Sequence, residues 1–226
     1  MTLSPQDRFR SALCQALGPE VPAPDETQRS VMFAYYAGVV EANRHFNLTR
    51  IVDPSEAAVK HFADALAVLG WVKSAGVCVL SVLDVGTGAG FPAVPLAIMR
   101  PDWLVTAIDS TGKKVRFVAG LSARLGLSNL SAERRRAGEW RPAQHFDLVL
   151  YKAVGTLGTC VKQARDLVKP GGYAIAHKTL EVSPRERREG LEAARRGRFD
   201  ALEPFAYRLR WGEETLERIL VIFRKL

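Results

Sequence analysis

Apolar positions follow two regimes along the chain. Up to about residue 76 they recur at helical spacing; from Val77 onward they come in short unbroken runs separated by helical stretches. In the first regime Phe9, Leu13 and Leu17 share one face of a segment opened by Ser4-Pro5, with Ser4 as N-cap and Pro5 in the first turn. Pro19, Pro22 and Pro24 break that segment. Asp25 to Arg44 predicts a longer helix that buries Met32, Tyr36, Val39 and Val40, and the pair Tyr35-Tyr36 reads as core, not as a base-stacking platform. Asp53-Pro54 caps a third helix whose stripe is Val59, Phe62, Leu66 and Leu69. On it His61 and Asp64 lie three apart, a spacing that lets them face each other in a local hydrogen bond.

The second regime alternates strand and helix. Strands are expected at about 79–85, 103–108, 130–132, 146–151 and 173–176, with helices at about 92–99, 112–125 and 156–168. Pro170-Gly171-Gly172 reads as the turn into the fifth strand. A basic helix at about 184–196 follows, then strands at 205–211 and 218–223 joined by a hairpin at Gly212-Glu213-Glu214. The fold class is therefore α/β: a seven-stranded, doubly wound, mostly parallel Rossmann-like sheet with an N-terminal helical extension. Residues 1–76 form the extension and 77–226 the sheet domain, with the last strand antiparallel.

Chemistry concentrates at 82–92, Val-Leu-Asp-Val-Gly-Thr-Gly-Ala-Gly-Phe-Pro. An aliphatic strand runs into alternating glycines and then, through Pro92, into a helix, so a ligand can approach bare backbone there. The pattern is Asp-x-Gly-x-Gly-x-Gly, not the G-x-G-x-x-G of dinucleotide sites. A second acid, Asp109, ends the next strand beside Ser110; it suits ribose hydroxyls and equally suits an N-cap for the helix after it.

Composition changes this picture in one respect. With 226 residues, 47% hydrophobic and 25% charged, the chain is an ordinary globular one, but 32 Lys plus Arg against 24 Asp plus Glu leave it at +8. The excess gathers at Lys113-Lys114-Arg116, at Arg134-Arg135-Arg136 and across Arg185 to Arg198. Each run alone fits a solvated helix face, but several around one pocket favour a phosphate-rich partner. Cys14, Cys78 and Cys160 are far apart, show no metal-ligand spacing and read as small buried residues in a reducing compartment. No apolar run approaches a membrane span and Met1 to Arg10 lacks the core of a signal peptide, so a cytoplasmic monomer without metal is expected.

Asp-x-Gly-x-Gly-x-Gly with the second acid resembles motif I of class I S-adenosylmethionine-dependent methyltransferases. Asn47-Leu-Thr49, His61 with Asp64, the stretch 83–92, Asp109-Ser110 before Lys113-Lys114, Arg136-Ala137 and the closing Arg218-Ile-Leu-Val-Ile run fall in one order. Together they resemble the bacterial 16S ribosomal RNA guanine-N7 methyltransferases, also known as glucose-inhibited division protein B. The resemblance covers roughly Asn47 to the C-terminus. It implies S-adenosylmethionine as cofactor and 16S ribosomal RNA, or the small subunit, as partner. The cofactor contacts it suggests fall on Asp84, Gly86, Thr87, Gly88, Gly90, Phe91, Asp109, Ser110, Ala137, Gly138 and Lys152, with Ala137 and Gly138 along the adenine. Lys152-Ala153 replaces the family's usual Arg-Ala, Ala93 replaces a glycine after Phe-Pro, and Thr179 replaces one after Lys178.

Guanine N7 carries a lone pair and no proton, so its methylation requires no general base. The chain has no cysteine placed for cytosine-C5 chemistry, no Asn/Asp-Pro-Pro-aromatic motif after the fourth strand, and no aspartate among lysines there for ribose methylation. No catalytic role is fixed; Lys152 and Lys178, at the ends of the fourth and fifth strands, are the candidates to face substrate or cofactor across the cleft. Asn47, His61, Lys113, Lys114, Arg116, Arg134, Arg135, Arg136, Lys178 and Arg218 are the candidate RNA contacts. A methyltransferase acting on a small molecule or another RNA is the alternative. A nicotinamide-dependent reductase lacks its Tyr-x-x-x-Lys pair, and an intact glycine turn argues against a non-catalytic RNA-binding protein.

Overall fold

A computed structural model describes residues 3–226. Helix α1, Pro5–Ala16, is capped by the Ser4 side chain and buries Phe9, Leu13 and Ala16. Helix α2, Glu26–Asn43, starts with a reciprocal cap in which Asp25 and Gln28 satisfy each other's backbone N–H groups, and it buries Met32, Tyr35, Tyr36 and Val39. The third helical stretch is continuous but not uniform. Helix α3, Pro54–Ala57, passes into a π-helical segment, Ala58–Ala63, and then into α4, Asp64–Ala75.

The strands are β1 Ser81–Val85, β2 Leu104–Asp109, β3 Leu130–Arg134, β4 Phe146–Lys152, β5 Val168–Thr179, β6 Phe199–Ala201, β7 Phe205–Trp211 and β8 Glu214–Lys225. Helices α5 Ala93–Met99, α6 Gly112–Arg124, α7 Leu157–Ala164 and α8 Pro184–Gly197 connect them. The sheet order is β3-β2-β1-β4-β5-β8-β6, with β7 also on β8. Strands β1 to β5 are parallel; β8 runs antiparallel to β5, β6 and β7. The order reverses between β1 and β4, which opens a crevice beyond their C-terminal ends.

Two local features depart from the expected pattern. The expected strand at 205–211 is present as β7, but an eighth, β6, precedes it where none was expected, and the two lie end to end along one edge of β8. Pro204, which has no N–H for a ladder bond, stands between them. Pro170-Gly171-Gly172 is not a turn before the fifth strand but part of it: pairing jumps from Phe146↔Val168 to Leu148↔Tyr173, and the extra residues bulge.

The extension and the sheet share a core. Phe9, Tyr35, Phe62 and Leu66 pack in one apolar cluster with Val82, Leu148, Leu150 and Ile222. A second cluster, on the other sheet face under α7 and α8, joins Leu83, Val149, Tyr151, Val161 and Ala194. Of the cysteines only Cys160 is buried; Cys14 and Cys78 are exposed, against expectation. Neither belongs to the buried stripe of its segment, so burial never selected those thiols. Among the described residues no helix is long and apolar enough to cross a membrane, and no group of acids, histidines and cysteines is placed to hold a metal ion.

Candidate functional site

The site is built on the elbow between β1 and α5. Gly86 and Thr87 donate backbone N–H bonds to the Ile108 carbonyl (2.8 and 3.0 Å), tying the end of β1 to the end of β2. Gly90 and Phe91 then donate to the Thr87 carbonyl, closing the turn. Two glycines in it are needed for different reasons. At Gly90 (φ +97°) an added Cβ would collide with the Tyr35 hydroxyl and come within 2.9 Å of Val94. Tyr35, fully buried on α2, donates to the Ala89 carbonyl at 2.9 Å, so the extension clamps the elbow. At Gly88 (φ +59°) an added Cβ meets only the Gly86 carbonyl, at 3.9 Å, and otherwise projects into open space. That space is a cradle that a side chain would fill.

Two carboxylates flank it. Asp84 is wholly buried; its Oδ2 accepts from the Ala93 N–H at 3.1 Å, while its Oδ1 and the neighbouring Thr87 hydroxyl are both left without a well-formed hydrogen bond. Burial lifts the carboxyl to about 6. Such an orphaned oxygen costs free energy until a donor arrives, which fits a ligand ammonium. Asp109 accepts from Gly88 N–H (3.1 Å) and from Thr111 N–H (2.8 Å), with Lys114 Nζ at 3.9 Å. It is therefore not the N-cap of α6; Thr111 holds that position without a side-chain bond, because Asp109 is already turned back onto the glycine elbow. Ser110 beside it is exposed.

The remaining candidates divide. Phe91 is 7% exposed and wedged into the extension, stacked on the His61 ring (centroids 4.5 Å, 11° between planes) with Phe62 and Tyr35 edge-on. His61 bonds Thr49 Oγ1 (2.9 Å) through Nε2 and not Asp64; burial and the nearby Lys152 hold its pKa down to about 3. The expected His61–Asp64 pairing fails because the π-helical segment ends between them, and its wider turn rotates position 64 off the face that an α-helix would give it. Asp64 instead bonds Tyr207 and Lys152. Ala137 is buried and Gly138 exposed; both line a cavity of about 380 Å³ with Arg141, Lys162, Arg165 and Arg196.

Lys152 and Lys178 do not face each other. Lys178 Nζ bonds Glu186 Oε1 (2.7 Å) and the Gly155 carbonyl (3.1 Å) on the α8 side of the sheet. Lys152 lies on the α4 side. The basic runs at 113–116 and 134–136 do converge: the Arg116 and Arg134 side chains both reach over Gly112, and Arg134 Nε donates to the Ser110 carbonyl at 3.1 Å. Lys113 and Arg136 are exposed there, although Arg135 pairs with Glu133 (3.1 Å) and Arg136 approaches Glu139 (3.8 Å). Asn47 is exposed in the loop after α2, and Arg218 lies apart, on β8 opposite Thr179. Tyr207 and His177 escape sequence reasoning altogether, because they sit on strands whose facing is set by register; Tyr35 is legible as core, and it is buried, but its bond to the elbow is not.

A family model described as "rRNA small subunit methyltransferase G" matches residues 28–196. The chain belongs to this family. Proteins named ribosomal RNA small subunit methyltransferase G are similar over most of its length. The one from Solibacter usitatus is 36% identical over 188 residues, covering 83% of this chain and 87% of its own. The one from Cellvibrio japonicus is 36% identical over 70% of this chain and 72% of its own. Solved structures match the fold of this chain at low identity. An S-adenosylmethionine-dependent methyltransferase from Methanosarcina mazei superimposes with TM-score 0.50 at 17% identity, over 65% of this chain and 92% of that one. A precorrin-6y C5,15-methyltransferase from Geobacter metallireducens gives 0.50 at 14%, over 65% and 81%. At those identities the likeness is one of fold: a class I methyltransferase sheet.

Proposed function

We propose that the protein transfers a methyl group from S-adenosylmethionine to N7 of a guanine in small-subunit (16S) ribosomal RNA, as a cytoplasmic monomer. The observation that carries the reading is the elbow itself: an open cradle at Gly88 between an orphaned buried carboxylate and a second acid at the end of β2. Asp84 Oδ1 suits the ammonium of the methionine part, and Asp109 the ribose hydroxyls. Gly86, Thr87, Gly88 and Gly90 supply the backbone wall, with Phe91, Ser110, Ala137, Gly138 and Lys152 around it. When bound, the cofactor supplies an electrophilic methyl group on a sulfonium.

The protein's own task is then alignment and exclusion of water. N7 has a free lone pair, so no proton need be removed from the acceptor. The convergence of Arg116 and Arg134 next to Ser110 gives a cationic rim beside the cofactor site, suited to an RNA backbone.

The test is methyl transfer from labelled S-adenosylmethionine to small-subunit RNA, with ribonuclease added before or after the reaction. Label that enters RNA and is lost when ribonuclease comes first supports the reading. Transfer to a small-molecule extract that ribonuclease leaves untouched would replace it with the alternative.

A further inference from the structure

A buried polar cluster lies beside the glycine elbow, drawn from four elements. Asp64 opens α4, Lys152 ends β4, His177 stands opposite Lys152 on β5, and Tyr207 is on β7. The Tyr207 hydroxyl donates to Asp64 Oδ1 at 2.6 Å, and Lys152 Nζ lies 3.0 Å from Asp64 Oδ2. The same ammonium donates to the Lys60 carbonyl at 2.9 Å, within the π-helical segment. Such segments are frequent at functional sites. Burial acts to raise the Asp64 carboxyl, but Lys152, His177 and the Tyr207 hydroxyl outweigh it and hold it below the usual range, so the acid is ionised.

An ammonium has three N–H donors, and two here are spent on Asp64 and Lys60. The Lys152 side chain keeps 15% of its surface exposed, and among the described residues its ammonium is engaged only by Asp64 and Lys60, which leaves the third donor unspent. A lysine on a flexible four-carbon stem lacks the pre-organised fork of an arginine, and its direction must be imposed from outside. Asp64 imposes it, and Asp64 is in turn fixed by a phenol from the far edge of the sheet.

We propose that Tyr207 is a positioning residue for methyl transfer: through Asp64 it fixes the Lys152 ammonium so that its third N–H is presented to an acceptor on one of the reacting partners. The inference rests on the functional reading above and extends it to a residue outside the glycine elbow. It also gives the extension a role at the site, because Asp64 and Lys60 both belong to it.

The experiment is a double-mutant cycle read as kcat and KM for both substrates. Tyr207→Phe keeps the ring and removes the donor, and it is expected to lower kcat/KM about tenfold, the worth of one hydrogen bond to a charged group. Lys152→Met is expected to lower it further, and Tyr207→Phe is expected to have no additional effect in the Lys152→Met background. Asp64→Asn, of nearly equal volume, gives the same pattern should Tyr207→Phe fold poorly. Read for RNA at saturating S-adenosylmethionine, where Asp84 is already paired with the cofactor, the acid limb of the kcat/KM profile moves to higher pH in Tyr207→Phe, since Asp64 without its donor binds a proton more tightly; a loss of folded protein alone would leave that limb in place. Losses that multiply across the cycle, or an unmoved acid limb, overturn the relay while leaving the functional reading intact. A wild-type protein that transfers no methyl group to RNA overturns both.

Discussion

Lys152 and Lys178 end neighbouring strands yet leave the sheet on opposite faces. Lys152 pairs in register with His177, and Lys178 is one residue further along, so the strand's two-residue period turns it toward α8. Their substitutions should therefore separate. Lys178→Met breaks the bond to Glu186, which also accepts from Leu157 N–H at 3.0 Å, and is expected to cost about 1 kcal/mol, roughly 2–4 °C in Tm. Its kcat should stay within about twofold of wild type. Lys152→Met should lose at least about tenfold in kcat/KM. Thermal melts and steady-state kinetics on the two variants check the contrast.

Asp84 predicts a pH dependence of two kinds. Its pKa is raised in the folded protein to about 6, so it favours folding fully below the unfolded value near 4 and that contribution is lost as pH rises through about 6. In the ligand-free protein this opposes His61 and His177, which burial keeps neutral and which cost stability as pH falls below about 6.5, so Asp84 is read by difference: Asp84→Asn should raise Tm relative to wild type at pH 7.5, and that gain should shrink at pH 5. Binding of S-adenosylmethionine should run the other way, because pairing with the ligand ammonium needs the ionised form. Calorimetry should show affinity falling by up to about tenfold per pH unit below 6, a slope absent in Asp84→Asn.

The two elbow glycines should fail differently. Gly90→Ala forces a side chain against Tyr35 and Val94 at φ +97°, and is expected to destabilise the fold by about 3 kcal/mol. Tyr35→Phe should recover part of that loss by removing the colliding oxygen. Gly88→Asp meets no protein side chain, and aspartate tolerates a left-handed backbone, so the variant should stay folded. It should nevertheless bind S-adenosylmethionine at least about a hundredfold more weakly, since the new carboxylate occupies the cradle. Denaturation curves and calorimetry distinguish the two outcomes.

What is legible in the sequence follows from how local each signal is. The β1 elbow shows itself because an aliphatic run, alternating glycines and Pro92 are all close in sequence, and the helix starts at Ser4, Asp25 and Asp53 because a cap acts within three residues. The orientation of Lys178 needs the β4–β5 register, which a bulge at 169–172 shifts. The Asp64–Tyr207 bond joins residues 143 positions apart, and the separation of Asp64 from His61 depends on a π-helical turn that apolar spacing does not announce. Tyr35 belongs to the core by its spacing, and it is there, but its hydroxyl bond to Ala89 is a tertiary fact.

The cationic rim should carry a measurable share of RNA affinity. Replacing Lys113, Arg116 and Arg134 together by glutamine should weaken binding across RNA sequences and reduce the slope of log K against log salt by about 0.7–0.9 for each phosphate interaction removed. Filter binding over a salt series reads this directly. An unchanged slope would remove these residues from the interface.

The most direct measurement of the central claim is nucleoside analysis, by mass spectrometry, of 16S RNA incubated with S-adenosylmethionine and either the wild-type protein or Gly88→Asp. The expected result is 7-methylguanosine formed by the wild type and not by the variant. Methylation at another atom, or equal product from both proteins, would contradict it.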